Sequence, residues 1–118
     1  MGLDHAIYKN GDEAIVMRKE NWVHGWVDRR IEGGVENTTN HELTIDDLFD
    51  LFRDMNLVLQ DYDPHLIAEL LPPTSGFFFG STEVGDWYFL QVRRRRDELE
   101  KLLESHEEGD EYVYWSWW

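Results

Sequence analysis

The chain has 118 residues, 42% hydrophobic and 14% aromatic, which suits one domain (1–118) around one modest core and is too short for two. Its 25 acidic residues outweigh 11 basic ones for a net charge of −14, a field that repels nucleic acid and anionic membrane and favours basic partners or cations. Zero cysteines exclude disulfides, thiol nucleophiles and cysteine-based zinc sites, and no apolar run reaches the roughly 18 residues of a membrane span.

In chain order, Leu3 to Lys9 and Ala14 to Met17 read as short strands around a turn at Asn10-Gly11-Asp12, since Asn-Gly is the strongest short hairpin cue. From about Lys19 to Glu32 the spacing becomes helical, with Trp22, Val23, Trp26, Val27 and Ile31 recurring every three or four residues until Gly33-Gly34. Gly25 inside this helix costs about 1 kcal/mol relative to Ala, which predicts a close neighbour there. Asn21, His24 and Asp28 fall along one line between Trp22 and Trp26, with Arg18 a turn earlier. The strip is either a ligand site for a base, sugar or phosphate, or a set of satisfied polar groups tying the helix to a strand.

Residues 35 to 41 turn polar and read as a loop. Thr44 then caps a second helix, with Asp46 and Asp47 in its first turn and Ile45, Leu48, Phe49, Phe52, Met55 and Leu59 as its apolar stripe. On the outer side Asp46, Asp50 and Asp54 recur every four residues, about 6 Å apart along the axis. That spacing is comparable to adjacent phosphates of one DNA strand, and makes Asp46, Asp47, Asp50 and Asp54 candidate partner-binding residues by phosphate mimicry. It is also what any solvated face of an acidic protein looks like.

Asp63-Pro64 opens a short helix to about Leu71, which Pro72-Pro73 closes. Phe77, Phe78 and Phe79 follow between Gly76 and Gly80. Three adjacent aromatics predict that at least two pin this connector to the core, or that they wall a ligand together with Arg18, Asn21, Trp22, His24 and Trp26. The segment LLPPTSGFFFGSTE, the Trp87-Tyr88 pair, the opening MGLD and the array Arg18, Lys19, Asn21, His24 and Trp26 carry a family likeness. Together they resemble a signature close to LLPTxSGFFFGSTEYDEWY of small uncharacterised bacteriophage and prophage proteins. The chain departs from it at Val84-Gly85 and Val16-Met17, where that family carries aromatic residues. The resemblance implies phage origin, one fold and residence in a host cytoplasm, and it implies no activity.

A third long helix is expected from Ser81, Thr82 or Asp86 to about His106, with Arg96 partly buried between Val92 and Leu99. Four consecutive arginines, Arg93 to Arg96, cannot share one face at 100° per residue, so pairs Arg93–Asp97, Arg94–Glu98 and Arg96–Glu100 are expected in place of a basic patch. Glu111 to Trp118 alternates as a strand, with Tyr112, Tyr114, Ser116 and Trp118 on one side and Val113, Trp115 and Trp117 on the other.

These readings combine into an α+β fold, a small antiparallel sheet of about three strands (N-terminal hairpin plus C-terminal strand) packed on three main helices. The free sheet face is a candidate surface for a second copy or a partner. No nucleophile elbow, phosphate-binding glycine loop or metal-ligand constellation is present, so neither catalytic residue, metal nor cofactor is assigned. The expected function is a non-enzymatic inhibitor of a host factor with a basic surface, a defence or nucleic-acid-handling protein, engaged through the acidic helices. The alternatives are a small-molecule, nucleotide-signal binder on the Trp–His strip and a small enzyme on Arg18, Asn21 and His24.

Overall fold

The computed structural model describes residues 2–76 and 79–118. In chain order the elements are β1 (Asp4–Lys9), β2 (Asp12–Arg18), α1 (Asn21–Arg30), β3 (His41–Leu43), α2 (Ile45–Asp61), α3 (Pro64–Leu70), α4 (Asp86–Glu104) and β4 (Tyr112–Trp117). The four strands form one antiparallel sheet in the order β2-β1-β4-β3. The hairpin and the carboxyl-end strand therefore pair as the alternation predicts, with β1 between them. Asn10 and Gly11 both take positive φ, 52° and 86°, the pairing a two-residue turn needs to match strand twist. Beyond it the register slips at Ile7/Tyr8, so that Ile7 faces Ile15 and Tyr8 faces Glu13, leaving Ala14 as a bulge.

One strand was not legible as such. β3 lies at the end of the stretch that reads as loop, where His41 to Leu43 pair with Tyr114 to Tyr112. Three residues directly before the Thr44 cap are too few to show a period of two. Thr44 closes a capping box with Asp47, each side chain bonding the other's backbone N–H.

Burial alternates along β4, with Tyr112, Tyr114 and Ser116 inside while Val113 and Trp115 are half-buried and Trp117 is exposed. Helices thus cover one face only. On that side Ile7, Ile15, Met17, Leu43, Tyr112 and Tyr114 join Trp22, Val23, Trp26 and Val27 of α1, Leu48, Leu51, Met55 and Val58 of α2, and Tyr88, Val92, Leu99 and Leu102 of α4. α1 is buried on all sides from Asn21 to Val27, although it carries two polar side chains in that span.

The close neighbour expected at Gly25 is Thr74 of the connector between α3 and α4: a Cβ at Gly25 would stand 1.9 Å from Thr74 Oγ1 and 3.1 Å from Thr74 Cβ. Alanine is the better helix former by about 1 kcal/mol, so this contact decides the sign. Gly25→Ala is expected to destabilise the fold by roughly 1–3 kcal/mol through overpacking, and Thr74→Ala in the same chain to restore part of the loss. Chemical denaturation of the single and double variants measures both.

Candidate functional site

The polar strip of α1 begins one residue before the helix. Lys19 adopts a left-handed φ of 62°, which turns the chain so that Glu20 enters the interior. There the Glu20 carboxylate accepts from the Arg18 backbone N–H at 2.6 Å and from Arg95 of α4 at 2.7 Å. Arg95 also bonds Glu98 at 2.6 Å. The arginine run is accordingly used for internal pairing, but with different members from those the spacing suggests. Arg95 reaches Glu20 and Glu98, and Arg96 reaches Asp97 and Asn56. Arg95 is the more deeply placed, its side chain 12% exposed against 26% for Arg96, because α4 turns Arg95 towards the β2 to α1 junction. No sequence period could show that junction.

Asn21 spends its whole amide on the connector. Its Nδ2 donates to the carbonyls of Phe79 (3.1 Å) and Ser81 (2.9 Å), and its Oδ1 accepts from the Thr74 N–H (3.0 Å). Phe79 is buried beside it, while Phe77 and Phe78 lie outside the described residues, so the aromatic wall is described at one of its three positions. Trp22 Nε1 donates to Gln91 and Trp26 Nε1 donates to Asp54. Of the described residues proposed to face a ligand, Asn21, Trp22, His24 and Trp26 are interior and committed to internal partners, Phe79 is buried, and Arg18 is exposed.

His24 meets β4 and β1 through one phenol. Tyr114 Oη lies 3.1 Å from His24 Nδ1 and 2.7 Å from His5 Nδ1, and the His24 ring is held edge-on by Phe79 and Trp118. A phenol has one proton, so one imidazole accepts it and the other donates to the oxygen. His5 Nε2 has no hydrogen-bond partner and points toward the Glu20 carboxylate 3.9 Å away, which favours a hydrogen on Nε2 and leaves Nδ1 to accept from Tyr114. Burial then pushes the His5 pKa down to about 3, with the nearby His24 and Arg95 adding to the effect, and burial also lowers His24 against the pull of Asp28. Burial raises Tyr114 well above the ordinary phenol range. All three groups are neutral at pH 7. Their arrangement binds α1 to the sheet, and among the described residues no three His, Asp or Glu side chains converge as metal ligands.

The acidic face of α2 is less free than its spacing implies. Asp47 caps the helix and pairs with Arg30 of α1 at 3.0 Å; Asp50 pairs with Arg30 and with Arg53. Asp54 is a correction to the outward stripe: it is buried, 5% exposed, because Trp26 Nε1 needs an acceptor and donates to it at 2.9 Å. Among the described residues, only Asp46 of the four has no cation within 4.0 Å. A different acidic surface comes from chain ends of elements that the sequence does not join. The hairpin tip is bonded to the α4 to β4 loop through Asn10, whose N–H reaches the Glu111 carbonyl (2.8 Å) and whose side chain reaches Asp110 and the Glu111 N–H (2.9 Å each). Asp12, Glu13, Glu107, Glu108 and Glu111 are exposed around this junction. Its cation, Lys9, is engaged by Asp110 and Ser105.

No protein-family model, curated protein or solved structure matches the chain. No helix among the described residues is long and apolar enough to cross a membrane.

Two outcomes follow from the polar interior. Asn21→Ala strands three backbone groups of the connector, each worth about 1–3 kcal/mol if left dry, and is expected to lower stability by several kcal/mol in urea titration. Because the folded-state pKa of His5 is depressed, the unfolded chain binds more protons between about pH 6.5 and 3. Stability is therefore present above pH 6.5 and lost as pH falls, by up to about 1.4 kcal/mol per unit for each such histidine. Melting temperatures measured from pH 7 to 5, above most carboxylate titration, are expected to fall, and to fall less steeply for His5→Asn.

Proposed function

We propose that this protein acts by binding, as an inhibitor that presents carboxylates to the basic surface of a host protein where that protein otherwise meets nucleic-acid phosphate. The observation that carries this reading is the cluster of Asp12, Glu13, Glu107, Glu108 and Glu111 at the joined hairpin tip and α4 to β4 loop, exposed and, among the described residues, without ion-pair partners within 4.0 Å, in a chain of net charge −14. Carboxylates that are not neutralised internally steer a cationic surface over a Debye length and release counterions on contact. Asp46 extends the same field from α2, while Asp47, Asp50 and Asp54 are engaged within the fold. The likeness to small phage proteins supports a host defence or nucleic-acid-handling protein as the partner and a host cytoplasm as the setting.

The burial of Asn21, His24, Trp22 and Trp26 supports binding over catalysis on that strip, since a substrate has no route to groups already bonded to protein. The expectation is tested by recovering tagged protein from host lysate at about 0.1 M salt, where charges act over roughly 10 Å, and at about 1 M, where they act over roughly 3 Å. Native mass spectrometry is expected to find a macromolecule that is lost at high salt, displaced by duplex DNA, and absent for the variant Asp12→Asn, Glu107→Gln, Glu108→Gln, Glu111→Gln. Equal recovery by the variant, or recovery indifferent to salt and DNA, overturns the reading.

A further inference from the structure

A small cavity of about 220 Å³ lies where the end of β2 meets the connector and the first turns of α4, lined by Arg18, Lys19, Gly80, Ser81, Trp87 and Gln91. Its polar groups have a common character. Trp22 Nε1 can only donate, so its 3.1 Å contact fixes Gln91 Oε1 as the acceptor and leaves the Gln91 NH₂ as a donor. Ser81 Oγ accepts from the Glu83 N–H at 3.0 Å, so its own hydrogen is free to donate. The Arg18 guanidinium and Lys19 ammonium can only donate. Arg18 touches a carboxylate only at 3.7 Å with its side chain 74% exposed, and Lys19 has no carboxylate within 4.0 Å. Glu20, the acid next in sequence, is turned inward and taken by Arg95.

Lys19 and two neutral donors therefore line one cavity, with Arg18 at its rim where its guanidinium lies nearest Asp4 of β1, and no carboxylate lines it, in a chain of net charge −14. Glu83 and Asp86 are near in sequence but form no part of the lining. Backbone strain is held at the same point. Lys19 keeps a left-handed φ of 62° that a lysine rarely adopts, and Gly80, at φ 93°, packs so closely that a Cβ there would come within 3.1 Å of Lys19 Cβ. Beside these donors Trp87 is 61% exposed, although it sits in the first turn of an amphipathic helix where an apolar ring is normally covered.

We propose that this cavity binds the phosphate of a mononucleotide, with the base stacked on Trp87. The donors match a phosphate, which is acceptor-only and carries up to two negative charges. The size argues in the same direction: drug-sized ligands fill roughly 300–1,000 Å³, so a cavity of this volume takes the headgroup and leaves the base outside on the exposed indole. The overall charge disfavours a polynucleotide, whose further phosphates would meet the acidic exterior. The site shares no residue with the acidic cluster described above, and stands whether or not that surface has a partner.

Calorimetric titration of the whole chain with a nucleoside 5′-monophosphate, inorganic phosphate and the unphosphorylated nucleoside tests the assignment. The nucleotide is expected to bind, phosphate to bind roughly tenfold more weakly, and the nucleoside not to bind. Lys19→Gly keeps the left-handed backbone without strain and removes the ammonium, so it is expected to retain the wild-type melting temperature while weakening nucleotide and phosphate by about tenfold, the size of one charge-assisted hydrogen bond. Trp87→Ala is expected to weaken the nucleotide by about tenfold and leave phosphate unchanged. The proposal is overturned by nucleotide affinity unchanged in folded Lys19→Gly, by nucleotide that binds no more tightly than phosphate and is not weakened by Trp87→Ala, or by no heat from nucleotide at millimolar concentration.

Discussion

The fold depends on the polar side chains of a buried helix. α1 is too hydrophilic in sequence to be held by burial alone, yet every residue from Asn21 to Val27 is interior. What holds it is a different partner at almost every position. Glu20, just before the helix, binds Arg95 of α4; Asn21 binds the connector; His24 binds Tyr114 of β4; Trp26 binds Asp54 of α2. Each bond satisfies a buried group that would otherwise cost about 1–3 kcal/mol, so the network fixes one arrangement of helices more than it adds net stability. The connector shows this most plainly. Its described residues between Pro72 and Val84 make no regular structure, and its backbone at Thr74, Phe79 and Ser81 is satisfied by a single amide.

The parts of this arrangement that were legible in the sequence are those set by local chemistry. Asn10-Gly11 demanded a hairpin, Thr44 a helix start, Asp63-Pro64 another, and the alternation of Tyr112 to Trp117 a strand with its tyrosines inward. Gly25 announced its neighbour because a glycine inside a helix needs a reason, although only the structure identifies Thr74. The parts that were not legible depend on which groups meet across the fold. Asp54 shares a four-residue spacing with exposed Asp46 and is buried only because Trp26 needs an acceptor there. Arg96 is partly buried as its place between Val92 and Leu99 predicts, but Arg95 is deeper still because Glu20 draws it in. His5, in a strand that alternates without a clear apolar face, gave no sign of its place beside Tyr114.

Formal charge proved a poor guide to local potential for the same reason. The segment from 41 to 80, which contains α2, has the largest net negative charge of the chain's three parts, with eight acidic residues against one basic. Arg30 reaches across from α1 and, with Arg53, compensates Asp47, Asp50 and Asp54. The α4 to β4 loop is itself acidic, with Glu107, Glu108, Asp110 and Glu111, whereas the hairpin tip adds only Asp12 and Glu13. Joined through Asn10, they place carboxylates together that are about 100 residues apart in the chain, with Lys9 engaged by Asp110.

The same logic explains how a chain with so much negative charge comes to hold a cationic cavity. An acid at the Lys19 ammonium would cancel it; Asp4 reaches only Arg18, and the acid adjacent in sequence, Glu20, is withdrawn by the left-handed turn at Lys19 and occupied by the backbone of Arg18 and the side chain of Arg95. The turn that costs backbone strain thus serves two ends at once: it seats a carboxylate under α4, where the fold needs it, and leaves two cations facing outward without it. A residue other than glycine is tolerated there because Glu20 and Asn21 on its carboxyl side are over-determined: Glu20 accepts from the Arg18 backbone and Arg95, and Asn21 accepts from Thr74 and donates to the carbonyls of Phe79 and Ser81. Strain at Lys19 and the buried polar network of α1 are therefore one device, and the electrostatic asymmetry of the surface follows from it.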